Sequence, residues 1–445
     1  MNKENKKTIM ETFDGGSLEL FIEGTPNARF CVKNVSKVLE EAGFVYMPEN
    51  EIWTMDETKK GMYTVRGDSI IAITFPNFED AGLPIFEGFD GTITHSDSPC
   101  FKIKRSPEIV SDGYVKLNVE PYGSPIFYSW LDRPLAICGS IITTKGKKID
   151  VNYNDRFNVF IPSQAIHINR DVNKANNLNP QKDMLPIWGF TNEGANFKQL
   201  LELEAQNSDK EMGTASVLAM DMMLYNPMKI QRLENAIVMG PRLDNLASVY
   251  VAVKSFVDTS ENILLDDAKP IKKKNKANVL AIFNSEEIGS QTRDGADSDF
   301  LTSTLERFCD MYLADVKVAF ANSNFLSIDA AHAVHPNAPE KSDPTNKIFL
   351  GKGVAIKHHD NYASCLELEA ALVAKCGKFQ HFHSRSDMRC GSTLGNISLS
   401  HNGIKTIDIG IPMLAMHSSV ETISSLDLDA LEDVLLTFYG YEVKV

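Results

Sequence analysis

The order of the apolar runs limits what this chain can fold into. A helix-and-strand rhythm runs to about residue 98, gives way to short strand signals, and returns near residue 237. In the first stretch, Thr25 and Pro26 can start a helix that carries Phe30, Val32, Val35 and Leu39 inward. Strand-like runs follow at Ile70–Phe75 and near Ile85–Thr94. The middle holds short runs such as Phe101–Lys104, Tyr114–Val119, Leu135–Ile142 and Val159–Pro162, punctuated by Gly, Pro and Asn. Beyond 237, apolar strands at Ala277–Phe283, Phe325–Ile328, Gly353–Ile356 and Thr406–Ile409 alternate with helical stretches at Leu243–Val257, Tyr362–Cys376 and Leu426–Tyr439. The expectation is an α/β fold: one domain with a mixed central sheet, residues 1–98 and 237–445, split in sequence by a smaller β-rich domain at 99–236.

Bulk properties narrow the class. With 445 residues, 43% of them hydrophobic, the chain can fill more than one core. Its 45 basic and 59 acidic residues give a net charge of −14, which repels nucleic acid and anionic membranes. The seven cysteines are odd in number and form no Cys-x-x-Cys pair, which fits a reducing cytosol rather than a disulfide framework. The opening MNKENKKTIMETFDGG lacks a secretory apolar core, and no apolar run reaches the ~18 residues of a membrane span. A cytoplasmic protein with no nucleic-acid or membrane partner is expected. Two polar stretches, Asn169–Pro180 and Asp258–Lys276 with its Lys272–Lys274 cluster, read as a loop and a solvated excursion.

The chemistry sits just after the strands. His95 and Asp97 follow the first as HSDSP, and Asp244 follows Ile237–Met239 in GPRLDN. Glu286 and Glu287 follow Val279–Phe283, Asp329 follows Phe325–Ile328, and His417 follows Thr406–Ile409. Open α/β sheets build their sites at the carboxyl ends of strands. Taken singly, an Asp there is a helix cap and a Glu pair is solvated surface. Jointly, they supply a metal ligand at every strand end. Two divalent ions about 3.5–4 Å apart need a bridging carboxylate, with a His and a further carboxylate on each ion. Asp244 can bridge, His95 with Asp329 can hold one ion, and Glu287 with His417 the other. A water shared between the ions becomes hydroxide near neutral pH, and a carboxylate that is not a ligand must carry its proton. Glu286 suits that role. Asp97, two residues after His95, can orient its imidazole. Such a ligand set suits zinc, and also cobalt or manganese.

The strings GTITHSDSPCFKIK, LDNLASV, NSEEIGS, DAAHAVHPN, CGSTLG and IPMLAMHS, in that order, resemble the aspartyl aminopeptidase family over nearly the whole chain. The resemblance implies a metalloaminopeptidase with His95, Asp244, Glu287, Asp329 and His417 as ligands, Glu286 as general base and Asp97 as the acid beside the first ligand. It also implies that the inserted domain mediates dimerisation, and that dimers assemble into a tetrahedral dodecamer. His167, in IPSQAIHINR, matches a His that reaches a neighbouring subunit's site, where it would bond the substrate carbonyl or developing oxyanion. Lys357, in GVAIKHH, matches a lysine near the pocket for the first substrate side chain and would pair with an acidic one. His332 and His335 are expected to position rather than ligate, and Gly391, Ser392 and Thr393 resemble a loop near the site.

The expected function is release of one N-terminal residue, acidic or neutral and apolar, from peptide substrates by a two-metal hydroxide mechanism. Alternatives are a deacylase or carboxypeptidase of the same fold, or a non-catalytic assembly protein. Intact ligands and base argue against the last.

Overall fold

The computed structural model describes residues 17–440 except 57, 77–85, 155–157, 175–176, 192–195, 209–215, 261–274, 389 and 392. The Lys272–Lys274 cluster, Ile85 and Ser392 lie outside the described residues. The chain divides into two compact units. One runs to Asp97, takes up Ile230–Met416 and continues from Glu421; the other holds Ser98–Lys229 and the short segment His417–Val420.

The first unit is built on a nine-stranded mixed sheet. From one edge its strands are Phe44–Tyr46, Gly61–Arg66, Ser69–Thr74, Lys276–Phe283, Gly88–His95, Asn324–Ile328, Lys405–Gly410, Ala355–His358 and Gln380–His383. The four central strands, from Lys276–Phe283 to Lys405–Gly410, are parallel neighbours. They are buried on both faces, which is why they read as continuous apolar runs rather than alternating ones. The flanking Ser69–Thr74 and Ala355–His358 strands run antiparallel to them.

Helices cover both faces. On one, Leu243–Ser260 and Ser425–Gly440 bring Phe256, Leu435, Phe438 and Tyr439 onto Leu280, Ile282, Leu326 and Ile407. The Tyr439 hydroxyl is satisfied inside this core by Thr92 at 2.5 Å and the Val279 carbonyl at 2.9 Å. On the other face, Phe300, Leu305 and Phe308 from Phe300–Met311 pack on Phe89, Ile93, Val279 and Phe325.

The helix expected to start at Thr25 and Pro26 begins later. It spans Ala28–Glu41, after a short helix Leu18–Gly24, and is capped by Asn27, whose side chain accepts the Phe30 N–H at 3.2 Å. Thr25 and Pro26 lie before it. Val32, Val35 and Leu39 are buried as expected, whereas Phe30 is only half-buried. The Val159–Pro162 run keeps only Asn158–Val159 as strand. The Gly353–Ile356 run shifts to Ala355–His358, because Gly353 adopts a left-handed φ of 90°.

The second unit carries a seven-stranded antiparallel sheet. Its long strands are Cys100–Ser111, Tyr114–Tyr122, Leu135–Thr143 and Val217–Tyr225. The helix Phe197–Ser208 packs Phe197, Leu201 and Ala205 into a core with Leu117, Ile137, Val151 and Leu224.

Candidate metal centre

Parallel pairing sets the first feature of the site. Because Phe283 lies opposite His95 in register, the ends of two central strands emerge together. Ile328 lies opposite Ile409 in the next pair, so Asp329 leaves the sheet at the same edge. Its N–H still bonds the Ile409 carbonyl, at 3.0 Å, which fixes the side chain's point of departure.

Three residues converge there. His95 Nε2 lies 3.4 Å from Asp329 Oδ1 and 3.6 Å from Asp244 Oδ1. Single ligand atoms from His95, Asp244 and Asp329 all fall within 4.8 Å of one another, and so do atoms from His95, Glu286 and Glu287. The other ring nitrogen, His95 Nδ1, lies 3.1 Å from the Asp97 carbonyl oxygen, with Asp97 Oδ1 at 3.5 Å. An Nδ1–H donated to that carbonyl leaves Nε2 facing the cluster.

Asp97 does more than orient a ring. Its Oδ1 accepts the N–H of Glu286 and its Oδ2 that of Glu287, each at 3.1 Å. The two glutamates open a single 3₁₀ turn, Glu286–Ile288, flanked by Ser285 and Gly289 at left-handed φ of 68° and 94°. Arg242, two residues before Asp244, is also left-handed at φ 56°. Strained backbone beside functional side chains is a recurrent signature of sites.

Further residues brace Asp244. Its N–H donates to Glu421 Oε2 at 2.9 Å. The neighbouring Asn245 amide donates to Thr94 Oγ1 at 3.0 Å and to the Ile328 carbonyl at 2.8 Å, tying the helix start to two strand ends. Glu421 and Asn245 escaped the sequence reading, since only the folded register brings residue 421 to 244 and residue 245 to 94 and 328. Gly410 is similar: a Cβ there would lie 1.8 Å from the Asp329 carbonyl oxygen.

Lys357 is 3% exposed, and its Nζ lies 3.1 Å from Asp329 Oδ2 and 5.3 Å from the Tyr362 ring centroid. The ammonium thus pairs with a candidate ligand. His335 sits on the surface, where Nδ1 accepts the Asn337 N–H, and His332 packs against the Phe382 ring. Gly391 has nothing within 4 Å of where a Cβ would stand.

Two candidates lie in the second unit. His167 stands on an exposed turn, next to Ile168 at 81% exposure. His417 opens the His417–Val420 segment, with a left-handed φ of 66° and Nδ1 3.2 Å from the Ser124 carbonyl oxygen. Leu414 and Thr422 pair across the base of that segment within the first unit.

The charge balance of the first-unit cluster decides what it suits. Asp97, Asp244, Glu286, Glu287 and Asp329 crowd around two cationic groups, His95 and Lys357. Burial pushes the Glu286 carboxyl up; His95 opposes this and Asp329, Asp97 and Asp244 add to it, giving about 8. Burial and then Asp244 hold Glu287 well above the carboxylate range. Burial would lower His95, but its bonds to Asp329 and Asp97 outweigh that and raise it. Burial likewise opposes ionisation of Asp329, yet Lys357 and His95 hold it below its ordinary value. So many carboxylates in one crevice are short of positive charge. Imidazole nitrogen and carboxylate oxygen in this mixture are zinc donors.

The family model described as aminopeptidase I zinc metalloprotease (M18) matches residues 21–439. The chain is similar to a probable M18 family aminopeptidase 2 of Clostridium novyi (strain NT), at 38% identity over 416 residues covering 89% of this chain and 92% of the relative. It is also similar to the solved structure of the Ape4 and Nbr1 complex, with a TM-score of 0.83 and 27% identity, over 99% of this chain and 88% of that one. The S. cerevisiae mApe1 dodecamer shares the fold at a TM-score of 0.76 and 22% identity, over 95% of each chain.

Proposed function

Since the chain belongs to the M18 family of aminopeptidase I zinc metalloproteases, we propose that its strand-end cluster is a two-zinc centre that frees single residues from peptide N-termini. The family makes it a zinc metalloaminopeptidase. The count of two ions and the residue roles are our assignment. They are supported above all by the convergence of His95, Asp244 and Asp329 within 4.8 Å, beside the Asp97-held pair Glu286 and Glu287.

In this reading His95 and Asp329 would hold one ion and Glu287 and His417 the other, with Asp244 shared between them. Held there, zinc would supply polarisation of the scissile carbonyl and a more acidic attacking water. Glu286 takes a proton from that water and delivers it to the leaving amine as the C–N bond breaks. Asp97 holds the Glu286 backbone still while the carboxylate works, and keeps the His95 ring in one orientation. Lys357 secures Asp329 and has further N–H groups to offer an acidic substrate side chain. His167, on its exposed turn, bonds the carbonyl oxygen of a substrate held by a neighbouring subunit.

That last role requires self-association. We assign it to the Ser98–Lys229 unit, which exposes Val110, Tyr114, Phe190 and Leu218. A tetrahedral dodecamer built from dimers is the proposed assembly, in keeping with the dodecameric mApe1 of the same fold. No helix among the described residues is long and apolar enough to cross a membrane. Its seven cysteines are free, which favours the reducing cytosol as its compartment.

The test compares aspartyl, glutamyl and leucyl peptides, free and N-acetylated, on zinc-loaded and chelated protein. Chelator-sensitive cleavage of the free peptides alone is the expected result. Equal cleavage of blocked peptides would favour a deacylase, and none with zinc bound would overturn the assignment.

A further inference from the structure

A second cluster of metal donors lies on the last two strands of the sheet and the helix beside them. The Ala355–His358 and Gln380–His383 strands are parallel neighbours with Ile356 opposite His381 and His358 opposite His383. Side chains alternate along a strand, so His358, His381 and His383 share one face. Lys357 and Phe382 point to the other, where Lys357 meets Asp329 and Phe382 joins Ala355 and Tyr362. The helix Leu366–Cys376 lies on the histidine side, with Leu368 and Leu372 in the same apolar core as Ile356. Its first turn carries Glu369.

The donors face one another. His358 Nε2 lies 2.9 Å from His381 Nδ1, and Glu369 Oε1 lies 4.0 Å from His381 Nδ1. All three ligand atoms fall within 4.8 Å of one another. The His383 ring stacks on His358 at 4.9 Å and 10°, which holds the latter's plane. Burial, ahead of the opposing pull of Glu369, keeps His358 below the ordinary imidazole value. Two nitrogens at about 2.0–2.1 Å from a tetrahedral ion stand about 3.3 Å apart, so the rings need open by only a few tenths of an ångström. Two imidazoles and one carboxylate suit zinc, cobalt, nickel or copper. They offer too few oxygens for calcium or magnesium.

We propose that His358, His381 and Glu369 form a non-catalytic site for a borderline divalent transition metal such as zinc, which fastens the last two strands to the helix beside them. The site uses none of the catalytic residues and stands whether or not the peptidase assignment does. The competing reading is a His–His hydrogen bond beside a solvated glutamate.

The experiment is a zinc titration of the full-length protein against a chromophoric chelator, with zinc content measured after dialysis. Wild type should bind one equivalent more than His358→Gln/His381→Gln, while both cleave a leucyl peptide at the same rate. Glu369→Gln, which leaves both rings in place, should weaken that extra equivalent about tenfold. Equal zinc stoichiometry and affinity in wild type and both variants would overturn the proposal.

Discussion

Asp97 Oδ1 accepts the backbone N–H of Glu286 at 3.1 Å, so the residue that supports the His95 ring also fixes the proposed base. Its second oxygen holds Glu287 in the same way. One residue therefore sets the position of the proposed ligand ring, through its backbone carbonyl, and through its carboxylate the backbone of a proposed ligand and of the proposed base. Replacing it with Ala should weaken zinc binding by roughly 10–100-fold, the usual cost of losing a partner behind a metal ligand. Chelator competition measures the affinity. An unchanged affinity with unchanged turnover would show that Asp97 is not the organiser.

Gly410 permits the approach that places Asp329. A methyl group at this position would lie 1.8 Å from the Asp329 carbonyl oxygen, a backbone atom that cannot swing aside. Gly410→Ala should lower both thermal stability and zinc content, since the strand ends must separate. Normal zinc content in a folded variant would mean that Asp329 can be displaced without harm.

Lys357 faces Asp329 Oδ2 at 3.1 Å with almost no exposure. Lys357→Ala removes the nearest fixed cation from a mostly buried carboxylate. Turnover should fall on aspartyl and leucyl peptides alike through Asp329, with an additional loss on the aspartyl peptide if an N–H also reaches substrate. We expect that additional loss; matched kcat/KM values for the two peptides measure it. Equal losses would confine Lys357 to Asp329.

Asp427 links stability to pH away from the metal centre. It is fully buried and accepts the N–H groups of Gly351 and Gly353, each at 2.7 Å. Burial pushes its carboxyl from 3.8 up to about 6, against the pull of those N–H groups. The folded state then holds the proton more tightly than the unfolded chain. This group's contribution to stability is full below the unfolded value and is lost as pH rises through about 6. Urea midpoints of Asp427→Asn should gain on wild type as pH climbs from about 4 to about 6 and run parallel above about 7. A constant difference across that range would contradict the raised pKa.

The candidate ligands His95 and Asp329 are legible because both stand where a central strand buried on both faces ends. His95 as the last residue of Gly88–His95 and Asp329 just after Asn324–Ile328 need only the rule that sites form at carboxyl ends. The outer strands are harder. Gly61–Arg66, next to one edge, and Gln380–His383, at the other, mix polar and apolar residues and carry no clear strand signal, and the His358–His381 pair depends on the second of them. Glu421 and Asn245 were invisible for another reason. Each acts through a hydrogen bond to a residue far along the chain or across the sheet, and nothing local marks either one. The motif around Lys357 points to that residue, but its pairing with Asp329 follows only from the packing of the sheet.

The central claim is that Glu286 moves the proton in a zinc centre it does not itself hold together. Glu286→Gln keeps size and backbone bonds while removing the base. Zinc content and the turnover of aspartyl and leucyl peptides, measured on the same preparation, test this directly. The account predicts wild-type zinc content with turnover reduced by roughly 10²–10⁴-fold. Near wild-type turnover with zinc retained would contradict it.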